Sequence, residues 1–161
     1  MAALTGGRLT RKRADGTDKL IEVKVQQGFT LYIGGIVCWD STGFGVPGAA
    51  TAGLRVIGVL DGSAVGVAAP GQSVAQGSAG ATGAVIANVS VGQFALDIDA
   101  NSPVTDADLG KGVFITDDHT ISKVGSGVRP FAGKLTWLEQ YSPTGTQAWV
   151  SLGEYVPTGT Y

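Results

Sequence analysis

The sequence is short of the residues that usually carry chemistry. Its 161 residues include one histidine and one cysteine. A single cysteine excludes an internal disulfide, and with it the disulfide-stapled scaffolds of small secreted proteins. A metal site or an activated nucleophile normally needs several such side chains close together, and the chain has few to offer. We therefore expect no enzyme activity, no bound metal and no cofactor.

Charge and helix-forming residues are also scarce. Asp, Glu, Lys and Arg make up 15% of the chain, against about 25% in an average globular protein. Glu, Lys and Leu are too few for a coiled coil, and the glycines lack the three-residue period of collagen. Glycine is nevertheless abundant, at 26 residues, beside many small aliphatic residues. This composition predicts an all-β fold, a small barrel or sandwich with at most one short helix.

The few charges lie unevenly along the chain. Residues 1–24 hold six bases and three acids, a net charge of +3, whereas the remaining residues hold five bases and ten acids, a net charge of −5. The densest basic cluster consists of Arg8, Arg11, Lys12 and Arg13. Such a cluster either docks on an acidic protein surface or solubilises a disordered terminus. No aromatic residues alternate with these bases, which disfavours nucleic-acid binding.

Composition divides the chain into three parts. We predict a flexible basic N-terminal arm over residues 1–18, a single β domain over residues 19–153 and a C-terminal tail over residues 154–161. No apolar signal segment opens the sequence. The long charge-free stretch, residues 62–96, contains proline, glycines and amides that do not suit a bilayer. These features predict a protein made in a cytoplasm, without a membrane partner.

Alternating apolar residues predict strands throughout the domain, as in Ile21, Val23 and Val25. Residues 84–89 and 92–97 suggest a hairpin that turns near Ser90 and Val91. Only residues 103–110 suggest a helical turn, with Thr105 as its N-cap and Gly110 closing it.

Two segments of the chain repeat a pattern. Residues 35–40 (GIVCWD) resemble residues 112–117 (GVFITD), and residues 53–58 resemble residues 127–133. Each unit consists of a strand, a turn led by aspartate, a second strand and a further strand that ends in glycine. The repeat predicts a barrel or sandwich built from two related groups of strands.

A few residues remain as candidates for chemistry. Asp117, Asp118 and His119 are adjacent, but a polar hairpin turn explains them better than a weak cation site does. Cys38 lies in an apolar run and is expected to be buried and inert. The carboxylate pairs Asp97/Asp99 and Asp106/Asp108 are more typical of strand ends and turns than of glycoside chemistry.

The combined strand and turn pattern resembles the capsid decoration (cement) proteins of tailed bacteriophages. The residues that carry the resemblance are 32–40 (YIGGIVCWD), 53–59 (GLRVIGV) and 108–121 (DLGKGVFITDDHTI). The resemblance implies a β head on the outside of an icosahedral shell, with terminal arms that reach the major capsid protein. It implies a homotrimer and no enzyme activity, and it fixes no capsid-contact motif. Trimer formation would also cover part of residues 62–96, which form an unusually apolar stretch.

Two other functions remain open on sequence grounds. A carbohydrate-binding or host-attachment module would need exposed aromatic residues, and the candidates are Trp39, Trp137, Tyr141 and Trp149. The three tryptophans lie in strand-like runs, so we expect them to be mostly buried. A tail or baseplate β domain would share this composition and differ in its symmetry.

Overall fold

The computed structural model describes residues 3–13, 19–61, 73–75, 81–125, 127–141 and 145–153. This part of the chain is nearly all β, as the composition predicted, with one 3-10 turn at Asp106–Asp108. Its twelve strands are β1 (Lys12–Arg13), β2 (Lys19–Lys24), β3 (Thr30–Tyr32), β4 (Ile36–Trp39), β5 (Gly45–Pro47), β6 (Arg55–Leu60), β7 (Ser73–Ala75), β8 (Ile86–Ile98), β9 (Gly112–Ile115), β10 (Thr120–Ser122), β11 (Phe131–Tyr141) and β12 (Gly145–Leu152).

Five of these strands close into a barrel. Strands β8, β12, β11, β9 and β10 are neighbours in that order, and β10 then pairs with β8. The closing pair is parallel and joins Thr120 to Asp97 and Ile121 to Ile98, whereas the other four pairs are antiparallel. Closure leaves the barrel without a free sheet edge along this ring.

Strand β8 is the central strand of the fold and pairs with five other described strands. Along one edge it pairs with β6 and then with β12, and along the other with β2, β1 and β10. The predicted hairpin within residues 84–97 is therefore wrong, because the chain runs straight through Ser90 and Val91. Gly92, with a φ of 142° that favours glycine, lies at the point where the partners of the strand change.

Most side chains of β8 are already buried within one copy of the chain. That a trimer covers part of residues 62–96 stays a prediction. Residues 62–72 and 76–80 of that stretch, like the tail at 154–161, lie outside the described residues.

The internal repeat is visible in the order of the strands. One end of the path reads β10-β9-β11 and the other reads β5-β4-β6, with β12 and β8 between them. In each group the strand of the repeated motif, β4 or β9, pairs antiparallel with a short strand and a longer one. The two turns led by Asp40 and Asp117 thus occupy equivalent places.

Two clusters of buried apolar side chains pack between the strands. The larger fills the barrel and reaches β4 and β6. The smaller lies under β2, β3 and the far face of β6 and comprises Val23, Val25, Leu31, Val37, Ile57, Leu60, Ala87 and Val89. Val23 and Val25 are buried, as their alternation predicted.

The single 3-10 turn is capped as the sequence indicated. The Asp108 carboxylate accepts hydrogen bonds from the Thr105 backbone N–H and hydroxyl, both at 3.0 Å. Gly110 follows with a φ of 80°, which lets the chain turn back toward β9.

Candidate functional site

The N-terminal arm lies against the barrel over residues 3–13, which differs from the flexible arm that the sequence predicted. Its first anchor is the Leu4 N–H, which donates to the two carboxylate oxygens of Asp118 at 3.0 and 3.2 Å. The Arg8 N–H donates to the Ile33 carbonyl at 2.8 Å, and β1 adds to the edge of β8. The acidic surface that the arm meets is therefore the chain's own.

Arg8 forms the most specific of these contacts. Its guanidinium donates to both oxygens of Asp97, at 2.9 and 3.2 Å, which is the bidentate geometry of a strong arginine–carboxylate pair. Gln147 donates to the same carboxylate at 3.1 Å. Burial on its own would raise the pKa of Asp97, but the hydrogen bonds from Arg8 and Gln147 outweigh it, and the pKa is lowered.

Arg11 binds a second acidic group, on β11. Its guanidinium lies 3.0 Å from a Glu139 carboxylate oxygen and donates to Gln147 at 2.7 Å. The indole N–H of Trp149 donates to Glu139 at 2.8 Å, so this carboxylate receives two donors. The hydrogen bonds from Arg11 and Trp149 lower the pKa of Glu139. Arg11 and Arg13 also lie over the Trp149 ring, 5.4 and 4.7 Å from its centroid.

Gly34 allows the arm to lie this close. Its φ is 81°, and a Cβ at this position would overlap the Arg8 carbonyl oxygen. The Thr10 hydroxyl donates to the Gly34 carbonyl from the same side. The path of the arm over the barrel therefore requires glycine at position 34.

The four predicted arm residues divide into two kinds. Arg8 and Arg11 are partly buried and serve as anchors. Lys12 and Arg13 are exposed on the outer surface, although the Lys12 ammonium also contacts the Ser90 hydroxyl at 3.1 Å. Leu9 is 91% exposed between the anchors. The docked arm thus presents an apolar side chain and two cations outward.

The turn between β9 and β10 lies under the start of the arm. Nδ1 of His119 is 2.9 Å from an Asp118 oxygen and 3.2 Å from an Asp117 oxygen. The hydrogen bond to Asp118 raises the pKa of His119, and the charge of Asp117 adds to the rise against the opposing effects of burial and Arg8. The sequence suggested an ordinary polar turn, and the burial of all three side chains depends on residues far away in the chain.

The other candidates have structural partners. Cys38 is fully buried in β4, and burial raises the pKa of its thiol. Asp99 accepts a hydrogen bond from the Asn101 N–H at 3.0 Å and lies 3.4 Å from Arg129. Asp108 caps the 3-10 turn, while Asp97 holds the arm. Asp97, Asp99 and Asp108 of the two carboxylate pairs thus make separate structural contacts.

The tryptophans differ from one another in exposure. Trp149 is 5% exposed, as expected, and Trp39 is half-buried. The expectation of burial is wrong for Trp137, which is 52% exposed. The β11 strand carries Trp137 on the barrel's outer face, beside a shallow groove lined by Val104, Thr105, Asp106, Leu138 and Thr146. The side chain of Tyr141 lies outside the described residues.

Comparison with protein-family models, with curated proteins and with solved structures finds no significant match to this chain. Within the residues that the structure describes, no helix is long and apolar enough to cross a bilayer.

Proposed function

We propose that this chain is a structural protein of a phage virion, which binds the outside of an icosahedral head and stabilises the lattice of the major capsid protein. The capsid-facing element is the N-terminal arm. The observation that supports this assignment is the division of the arm into anchors and outward-facing residues. Leu9, Lys12 and Arg13 are exposed at the surface, although Lys12 also reaches Ser90 and Arg13 lies over Trp149. Arg8 and Arg11 fix their position.

The docked arm is preorganised for binding. A free basic terminus loses conformational entropy when it binds, and the docked arm has already lost most of it on folding. The outward residues combine one apolar contact with two cations, which suits an acidic, partly apolar protein surface. An edge strand such as β1 is also a common means of protein recognition by strand addition. These features support a binding role on a repeated protein lattice.

Binding to heads tests the proposal directly. Expanded heads of the same virus, lacking decoration, are sedimented with the wild-type chain and with the variants Arg13→Glu and Lys123→Glu. Lys123 is an exposed cation on the body, so its variant is the matched control for charge. We expect Arg13→Glu to lose at least tenfold in affinity and Lys123→Glu to bind as the wild type. Failure of the wild type to sediment with heads would overturn the proposal.

The proposed homotrimer has a separate test. The chain has a mass of 16.3 kDa, so a trimer has a mass of about 49 kDa, three times that value. Light scattering at several concentrations measures this directly. A trimeric mass supports assembly before the chain reaches the head. A monomer at every concentration would overturn trimerisation in solution.

A second function, carbohydrate binding, is favoured by the groove at Trp137. An exposed indole can stack on the apolar face of a sugar ring, and Asp106 and the Thr146 hydroxyl border the same groove. A glycan array, probed with the wild type, Trp137→Ala and the control Leu109→Ala, tests this function. Leu109 is similarly exposed, at 42%, but does not line the groove. Glycan binding that only Trp137→Ala abolishes would favour this alternative.

A further inference from the structure

The turn at residues 117–120 corresponds to the turn that Asp40 leads in the other copy of the internal repeat. This counterpart shows which hydrogen bonds a turn at that place needs. In the counterpart, one Asp40 oxygen accepts hydrogen bonds from the Thr42 N–H at 2.8 Å and the Phe44 N–H at 3.0 Å. In the second turn, Asp117 accepts the equivalent bond from the His119 N–H at 3.0 Å. Aspartate at the first position therefore meets the structural need of both turns. The carboxylate of Asp118 and the imidazole of His119 are additions found only in the second turn.

These additional groups converge in a buried space. The side chains of Asp117, Asp118 and His119 are 9%, 4% and 12% exposed. Each offers a ligand atom, and these atoms all lie within 4.8 Å of one another. The arm's Leu4 N–H and the Arg8–Asp97 pair lie at the same end of the barrel.

One oxygen of this cluster is left without a partner. Oδ2 of Asp117 is buried and has no hydrogen bond among the described residues, while its Oδ1 faces the His119 ring. A buried carboxylate oxygen without a donor or a cation is costly, and such atoms are rare in folded proteins. The corresponding aspartate, Asp40, lies at the surface, so its carboxylate is not desolvated in this way.

We propose that Asp117, Asp118 and His119 form a binding site for a divalent transition-metal ion. As ligands of an ion, two carboxylates and a neutral imidazole would supply a charge of −2, which a divalent ion neutralises. The ligand set favours zinc or a similar first-row ion over magnesium or calcium, because magnesium and calcium prefer oxygen ligands alone.

The spacing of the ligand atoms agrees with this assignment. Zinc bonds to nitrogen and oxygen are about 2.1 Å long, so two ligands of a tetrahedral ion lie about 3.4 Å apart. The ring nitrogen of His119 already lies 2.9 and 3.2 Å from the two carboxylates. An ion that binds here replaces the hydrogen bond between Nδ1 of His119 and Asp118, and the ligand atoms, all within 4.8 Å of one another, adjust around it. A fourth position would be left for water or for another ligand.

The same ion would connect the barrel seam to the arm. His119 precedes β10, whose pairing with β8 closes the barrel, and the Asp97 N–H donates to the His119 carbonyl at 3.0 Å. Asp118 receives the Leu4 N–H of the arm. Metal binding would thus stabilise the closed barrel and the docked arm together, whether or not the chain acts on a phage head.

The test uses the full, untagged chain and Zn²⁺ as the probe. Because His119 is the only histidine, its ring proton resonances report directly on metal at this position. We expect one equivalent of Zn²⁺ per chain, a shift of the His119 resonances and a rise in Tm. Tetrahedral Co²⁺ should add a visible absorption band with the same stoichiometry.

The variants Asp117→Asn and Asp40→Asn form a matched pair, since both remove the charge of the leading aspartate in equivalent turns. Asp117→Asn should weaken Zn²⁺ at least tenfold, and Asp40→Asn should leave affinity unchanged. Should Asp117→Asn fail to fold, as judged by circular dichroism, His119→Gln replaces it with the same expectation. Absence of Zn²⁺ binding by the wild type would overturn the proposal. Equal binding by every variant, without a shift of the His119 resonances, would overturn it as adventitious binding elsewhere.

Discussion

Replacement of Gly34 by alanine should release the arm without altering any of its charged residues. The added Cβ would overlap the Arg8 carbonyl oxygen, and the φ of 81° is one that alanine adopts with strain. Gly43 provides the matched control, because its φ is 85° and a Cβ there meets no atom within 4 Å. Both variants carry the same backbone strain, and only Gly34→Ala collides with the arm.

The expected magnitudes follow from these contacts. The left-handed conformation costs alanine about 1–2 kcal/mol, which is the whole expected effect at Gly43. Release of the arm at Gly34 also loses the Arg8 N–H bond to Ile33 and the Thr10 bond to Gly34, each worth about 1 kcal/mol. The Arg8–Asp97 pair, partly exposed to solvent, adds less than about 1 kcal/mol. Gly34→Ala should therefore destabilise the fold by about 3 kcal/mol or more, since a fully released arm also loses the Leu4, Arg11 and β1 contacts with the barrel.

Two assays measure this difference. Urea unfolding gives the free energies of unfolding of the wild type and both variants. Limited trypsin digestion then reports on the arm, because Arg8, Arg11 and Lys12 are cleavage sites that docking protects. We expect rapid loss of the arm from Gly34→Ala alone. Equal stability and equal protection of the two variants would refute the role assigned to Gly34.

Asp97, Cys38 and Leu135 each make a contribution that can be measured separately. The pKa of Asp97 in the folded state lies below its ordinary value of 3.8, so its ionised form stabilises the fold above that value. This contribution is lost as the pH falls through the lowered pKa. In urea unfolding measured from pH 7 to pH 2, Asp97→Asn should therefore lose less stability in acid than the wild type, and identical curves would contradict this. Cys38 should react with a thiol reagent only after unfolding, since it is fully buried and its pKa is raised; reaction of the folded chain at the rate of a free thiol would disprove this. Leu135→Ala, in the barrel interior, should cost about 2–5 kcal/mol in urea unfolding, and a loss below about 1 kcal/mol would show that the barrel is poorly packed.

The sequence predicted the fold correctly where the pattern depends only on neighbouring residues. Alternation at Ile21, Val23 and Val25 indicated a strand because one face of that strand is buried. The same signal failed at Ser90 and Val91, where small residues look like a turn. Whether such a stretch turns or continues depends on the strands that pair with it, and those partners come from both ends of the chain.

The candidate site was less predictable because its contacts join distant residues. Leu4 meets Asp118 across 114 positions, and Arg8 meets Asp97 across 89. No local pattern carries such information. The exposure of Trp137 was missed for a related reason: a strand in a closed barrel has an outer face, and a single aromatic residue does not reveal which face it occupies.

The two anchoring arginines of the arm meet one row of side chains on the barrel. Asp97, Gln147 and Glu139 lie opposite one another on β8, β12 and β11. Arg8 binds Asp97, Arg11 binds Glu139, and Gln147 contacts both Asp97 and Arg11. Because the two arginines share this row, loss of one cation should loosen the arm without freeing it. Steric displacement at Gly34 acts on the backbone of the arm, which is why a neutral substitution is expected to release the arm more completely than removal of a charge.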